Sequence, residues 1–194
     1  MNKGHEKAER ILRGLAEVVC EHGRAQLTVD LILQRANVSR SAFYERFDNI
    51  EDATRSAMEM ASERLGSAIA TAAPDEKPWA DRMEAVMSAL VTAVVEEPAL
   101  ASLCLAHGYL APDPRNQFHP ALLDILVEVL QSGEGEIPTS RPPLTEEFIA
   151  CGILSVIAEQ LRQGEVNGLE DLTGELTELA LLTLPSHAED VPVH

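Results

Sequence analysis

Between Thr28 and Arg46 the chain concentrates side chains suited to a polyanion. Thr28 and Ser39 are short hydroxyl residues of the kind that cap helices. At a helix N-terminus such hydroxyls, with the free backbone amides, can hold phosphate oxygens. Arg40, Ser41 and Ala42 follow directly. An arginine can donate twice to a guanine edge, and an alanine methyl can touch a thymine methyl. Tyr44 can donate its hydroxyl to phosphate. The set suits contact with double-stranded DNA.

Other chemistries lack their residues. The histidines (His5, His22, His107, His119, His187, His194) form no HExxH or paired helical spacing, so no metal site is expected. Cys20, Cys104 and Cys151 are odd in number and scattered, which excludes a disulfide framework and a CxxC-type zinc site. Nucleophile-elbow, Walker and dinucleotide fingerprints are absent, so no cofactor and no catalytic group are expected. Gly133-Glu134-Gly135 lacks the strand and helix that a nucleotide loop needs. The pairs Glu96–Glu97 and Glu146–Glu147 read as solvated faces.

The elements that must position Arg40 are helices. Apolar residues recur three and four apart, and no alternating strand stands out. Ile11, Leu15 and Val19 define a first amphipathic helix that ends near Gly23. Thr28 caps a second, Val29 to Ala36, and Asn37 supplies a residue that tolerates positive φ. Ser39 caps a third, Arg40 to Phe47. Val29, Ile32, Ala36, Val38, Phe43 and Phe47 make the small core between them. This is the helix-turn-helix arrangement, whose second helix enters a major groove. A fourth helix begins after Asp48-Asn49 and runs to about Ala73. Five more follow: one from Pro78, one over Ala99 to His107, one over Phe118 to Gln131, one from Thr145 to Gly164, and one over Leu169 to Leu184. Residues 132–143 read as a loop.

The sequence has 194 residues, with 15 Lys and Arg against 32 Asp and Glu, a net charge of −17. Its hydrophobic content of 45% is that of a globular protein. The acidity is uneven. Residues 1–55 hold nine basic and nine acidic groups, so all the excess lies beyond them. Charge further away than a Debye length, ~8 Å, is largely screened, so an acidic body does not forbid a local DNA contact. No signal peptide or membrane-spanning run is evident, and a cytoplasmic location is expected.

The stretch Ile11 to Met58 resembles the DNA-binding domain of the TetR family, above all Glu21-His22-Gly23, Thr28-Val29, Ala36 to Tyr44, and Phe47. That family comprises dimeric, all-α, ligand-responsive transcriptional regulators, mostly repressors. The resemblance implies that Thr28, Ser39 and Tyr44 contact phosphate and that Arg40, Ser41 and Ala42 form the base-reading turn. Asn37 replaces the glycine usual in the turn. Leu33 stands where a small residue is usual, and Ile50 where a lysine is usual. Arg46, Lys3 and Lys7 are the cations available in place of that lysine.

An all-α fold of about nine helices is therefore expected. Residues 1–52 would form a three-helix DNA-binding domain, and 53–194 a ligand-binding and dimerisation domain. The helix from Thr145 is apolar on nearly every side between Phe148 and Ala158, so both faces need burial. The resemblance implies that with the last helix it forms a homodimer interface, expected at Phe148, Gly152, Val156, Leu172, Leu176 and Leu179. Gly152 and Gly174, costly inside helices, would allow close backbone approach. Trp79, Met83, Met87, Leu103, Cys104, His107, Tyr109 and Phe118 are the candidate lining of an effector pocket, since methionine adapts to irregular ligands and a few polar groups orient them. The expected partners are operator DNA, a small apolar or amphipathic effector and a second copy of the chain. Two other classes stay open on sequence: an all-α enzyme or carrier with a degenerate helix-turn-helix, and a helical protein-interaction module.

Overall fold

The computed structural model describes residues 3–72, 78–106, 120–132, 142 and 144–181. These form nine α-helices and no strand. α1 (Lys3–His22) turns Ile11, Leu12, Leu15, Ala16, Val18 and Val19 to the interior. Gly23 ends it at φ 76°, a conformation open to a residue without Cβ.

α2 (Val29–Ala36) and α3 (Arg40–Tyr44) follow. α1 fixes α2 through two residues four apart on one face. Gly14 lets the helices approach so closely that a Cβ there would lie 3.1 Å from Ala36 N. Arg10 Nη2 donates to the Ala36 and Asn37 carbonyls at 2.5 and 2.8 Å, satisfying acceptors that the end of α2 leaves open. Asn37 takes the left-handed conformation, φ 51° and ψ 55°, so it performs the turn that glycine usually makes. Leu33 is half-buried against the core, and α2 and α3 remain packed. α3 stops at Tyr44 rather than Phe47. There Arg46 N donates to the Phe43 carbonyl at 2.9 Å, three residues back, which tightens the chain out of the α-helix.

α4 (Ile50–Ala72) is a 23-residue rod, ~34 Å long, packed against α1, α5, α6 and α7. The expected boundary at residues 52 and 53 falls inside it. Its buried face is built of small residues, Ala53, Ala57 and Ala61, followed by Leu65, Gly66 and Ile69. A Cβ on Gly66 would lie 2.6 Å from Ile125 Cδ1, so α4 meets α7 here through the end of one flexible side chain. α5 (Trp79–Glu96) and α6 (Pro98–Leu105) meet at a 109° bend. α7 (Pro120–Gln131), α8 (Thr145–Gln163) and α9 (Thr173–Leu181) complete the body. α9 starts after the expected Leu169 because Val166–Gly168 is a 3-10 turn, and Leu172 and Thr173 also bond three residues back. Among the described residues no single helix is long and apolar enough to cross a membrane.

Candidate nucleic-acid interface

Thr28 and Ser39 both have extended backbones and cap the helices that follow them. Thr28 Oγ1 accepts from Leu31 N at 3.3 Å, and Ser39 Oγ from Ala42 N at 3.2 Å. Ser39 Oγ also lies 3.0 Å from Ser41 Oγ. Each cap is worth about 1 kcal/mol, which matters most for α3 because one turn does not hold itself.

Beneath α3 sits Phe43, fully buried, with Phe47 at a ring distance of 5.6 Å. Tyr44 meets Phe43 edge-on at 5.3 Å and leaves half its surface in solvent. Thr28, at the start of α2, and Ser39, Arg40, Ser41, Tyr44 and Arg46, on or beside α3, are all exposed. Ala42 does not join them. It is 7% exposed and belongs to the core under α3, so its methyl is no ready contact for a thymine. A five-residue helix must bury one face to be held at all, and Ala42 and Phe43 are that face.

Two features were not legible in sequence. Arg40 Nη2 donates to Asp30 Oδ1 of α2, so the base-reading candidate is ion-paired in the free protein. Ile50, in the position of the usual lysine, is half-buried and lines a cleft of about 480 Å³ with Tyr44, Arg24, Asp48 and Glu51.

A charged seam joins this unit to the helices behind it. Glu97, at the bend between α5 and α6, accepts from Arg13 of α1 at 2.9 Å (Nε) and 2.5 Å (Nη2), and from Arg64 of α4. Arg64 also donates to Glu9 of α1. Sequence reading placed Glu97 and Glu146 on solvated faces. Instead Glu97 is the centre of this network, and Glu146 is 7% exposed within the fold. Nearby, Arg35 bonds Glu17 and Glu21, and its hydrogen bonds hold the Glu21 carboxyl below the usual carboxylate range. Burial pushes the thiols of Cys20 and Cys151 upward, towards the unreactive protonated form.

Of the expected effector-lining residues, Trp79, Met83, Met87, Leu103 and Cys104 are buried together in the core. His107, Tyr109 and Phe118 lie outside the described residues. Among the described residues Trp79 Nε1 is a buried donor with no acceptor.

On α8, Phe148 is 80% exposed, Gly152 faces open space and Val156 is half-buried, while Leu172, just before α9, and Leu179, on α9, are half-buried too. Leu176 departs from the expected interface: it is buried in its own chain, at 1% exposure, where α9 packs on α5.

The class is an all-helical protein with a helix-turn-helix at its N-terminus and a long fourth helix running into a helical body. Residues 11–52 match the family model described as bacterial regulatory proteins, tetR family. Over those residues the chain carries the N-terminal domain that this family model describes. Solved structures share its whole fold. The fatty acid degradation regulator FadR from Bacillus halodurans superposes with a TM-score of 0.78 at 20% identity, over 90% of this chain and 94% of that one. FadR from Bacillus subtilis, solved in complex with stearoyl-CoA, gives 0.72 at 22% identity, over 91% and 99%. A tetR-family regulatory protein from Rhodococcus RHA1 gives 0.71 at 16%, over 95% and 98%. No curated protein matches the sequence.

Proposed function

We propose that the protein is a ligand-responsive transcriptional repressor that binds a palindromic operator as a homodimer and is released from it by a small apolar or amphipathic molecule. The observation that carries this reading is the exposed cluster of Thr28, Ser39, Arg40, Ser41, Tyr44 and Arg46 around a doubly capped helix-turn-helix. In it Thr28, Ser39 and Tyr44 hold phosphates, Arg46 adds a cation, and Arg40 with Ser41 reads bases. The outward stripe of α8, led by Phe148 and Gly152, is where a second copy packs, with Val156, Leu172 and Leu179 at its edge. Two-fold symmetry then sets two recognition helices against half-sites about one turn, ~34–36 Å, apart.

The effector enters the body between α4 and α7. Trp79, Met83 and Met87 supply an apolar wall, and methionine repacks around irregular ligands. Trp79 Nε1 has no acceptor among the described residues, and an effector oxygen placed there would supply one, a buried unsatisfied donor costing ~1–3 kcal/mol. The Bacillus subtilis neighbour was solved with stearoyl-CoA, which makes that molecule the first probe. The effector cannot change operator affinity beyond its own preference between the two states, typically ~1–3 kcal/mol.

The test is a fluorescence anisotropy titration with duplexes selected in vitro from a random pool. Tight, salt-dependent binding to an inverted repeat is expected. If no duplex is enriched over the starting pool, the reading is wrong.

A further inference from the structure

Asp30 stands in the first turn of α2 and Arg40 opens α3. Arg40 Nη2 donates to Asp30 Oδ1, closing an ion pair between the two helices of the helix-turn-helix. The side chains are 56% and 78% exposed, so packing does not force this contact. Its place on the surface that meets DNA is what gives it a consequence.

A guanidinium carries five N–H donors, and Asp30 takes one of them at Nη2. The rest of the fork stays available. What differs between DNA sites is the other partner. A phosphate is an anion: to gain Arg40 it must displace the carboxylate or lie beside it, and either course cancels much of the attraction. A guanine edge is neutral and offers two acceptors, so it can use the remaining donors without repelling Asp30.

We propose that Asp30 is a specificity-determining residue: it keeps Arg40 charge-neutral on arbitrary duplex while leaving the arginine able to bond a guanine edge. The inference rests on the DNA-binding reading above. It assigns Asp30 more than the ordinary role of an acid in a first helical turn, where the macrodipole alone favours it.

The experiment uses the full chain and two labelled probes, a random-sequence duplex and the duplex selected most strongly by the wild type. Asp30→Asn should tighten the random duplex by ~2- to 5-fold, the scale of an exposed ion pair. Its salt dependence should steepen by about 0.9 in logarithmic slope, as one more phosphate is neutralised. The selected duplex should gain less, so the ratio between the two probes falls. In an Arg40→Ala background, Asp30→Asn should change neither probe. If it tightens binding there as much as in the wild type, Asp30 acts as a general negative charge and the proposal is overturned. Unchanged binding by Asp30→Asn in the wild-type background also overturns it, with the DNA-binding reading intact. A wild type that binds neither probe overturns both. Both residues are exposed, and circular dichroism of each variant confirms that the fold persists.

Discussion

Replacing Glu97 by Gln removes one charge and leaves the shape nearly unchanged. Glu97 is the shared acceptor for Arg13 of α1 and Arg64 of α4, and it sits where α5 turns into α6. Its side chain is 24% exposed, while those of Arg13 and Arg64 are 42% and 35% exposed. A fully exposed pair is worth ~0–1 kcal/mol, and breaking a fully buried one costs ~3–5 kcal/mol. These groups lie between the limits and keep part of their water, so screening sets the loss nearer the lower end. Two arginines depend on the one carboxylate, which gives about 1–2 kcal/mol in all. For a chain of this size 1 kcal/mol shifts the melting temperature by ~2–4 °C, so the midpoint should fall by ~2–8 °C. The check is thermal unfolding at low and high salt, with Arg13→Met as the second arm of a double-mutant cycle. The single variants should not add, because both remove the same bond. Equal melting temperatures for wild type and Glu97→Gln at low salt, or strict additivity in the cycle, would refute the reasoning.

Gly14→Leu should destabilise by ~1–3 kcal/mol in urea unfolding, because its Cβ alone would press on the Ala36 backbone, which cannot rotate away. Gly66→Ala should cost far less, since the obstructing atom is the terminal methyl of Ile125. Glu21 contributes acid-sensitive stability. Its folded pKa is depressed by Arg35, so the contribution is complete above the unfolded carboxylate pKa and is lost as pH falls through the lower folded value. Glu21→Gln should flatten that limb in thermal melts across pH: the melting temperature falls near neutrality and changes little once pH is below the folded pKa. Phe148→Glu should convert a dimer to monomer in sedimentation at micromolar concentration; a wild type that is already a folded monomer would rule out the α8 interface.

The helix-turn-helix was legible because its signals are local. Thr28 and Ser39 announce their helices, Asn37 marks the turn, and the apolar spacing from Ile11 to Phe47 fixes which faces turn inward. The misreadings came from contacts between residues distant in sequence. Glu97 looks solvated beside Glu96 because its arginines lie on α1 and α4. Ala42 looks available for DNA until the depth of a five-residue helix is known. Gly152 and Gly174 drew notice as the helix glycines near a suspected interface. Within this chain, however, the close approaches are made by Gly14 and Gly66, whose partners no local pattern names. The apolar run in α8 showed that both faces need cover, but not which leucines of α9 stay inside. Leu176 does.

The placement of the Glu97 network also bears on how a body could act on a DNA-binding domain. Arg64 ties α4 to α1 and to the bend between α5 and α6, and Gly66, two residues on, faces Ile125 of α7. The two contacts therefore lie at one level along α4. From Ile50 to Arg64 the helix extends ~21 Å at 1.5 Å per residue. A tilt of roughly 10° about that level displaces the start of α4 by ~4 Å, which is large against the ~34–36 Å spacing that two half-sites require. Under the proposed function, an effector need not reach the recognition helix. It needs only to shift α7 against Gly66, while Glu97 decides whether α1 follows α4 or is left behind. Glu97→Gln should then weaken the effect of a bound effector on operator affinity more than it weakens operator binding itself. Equal losses in the two measurements would mean that the network only stabilises the fold.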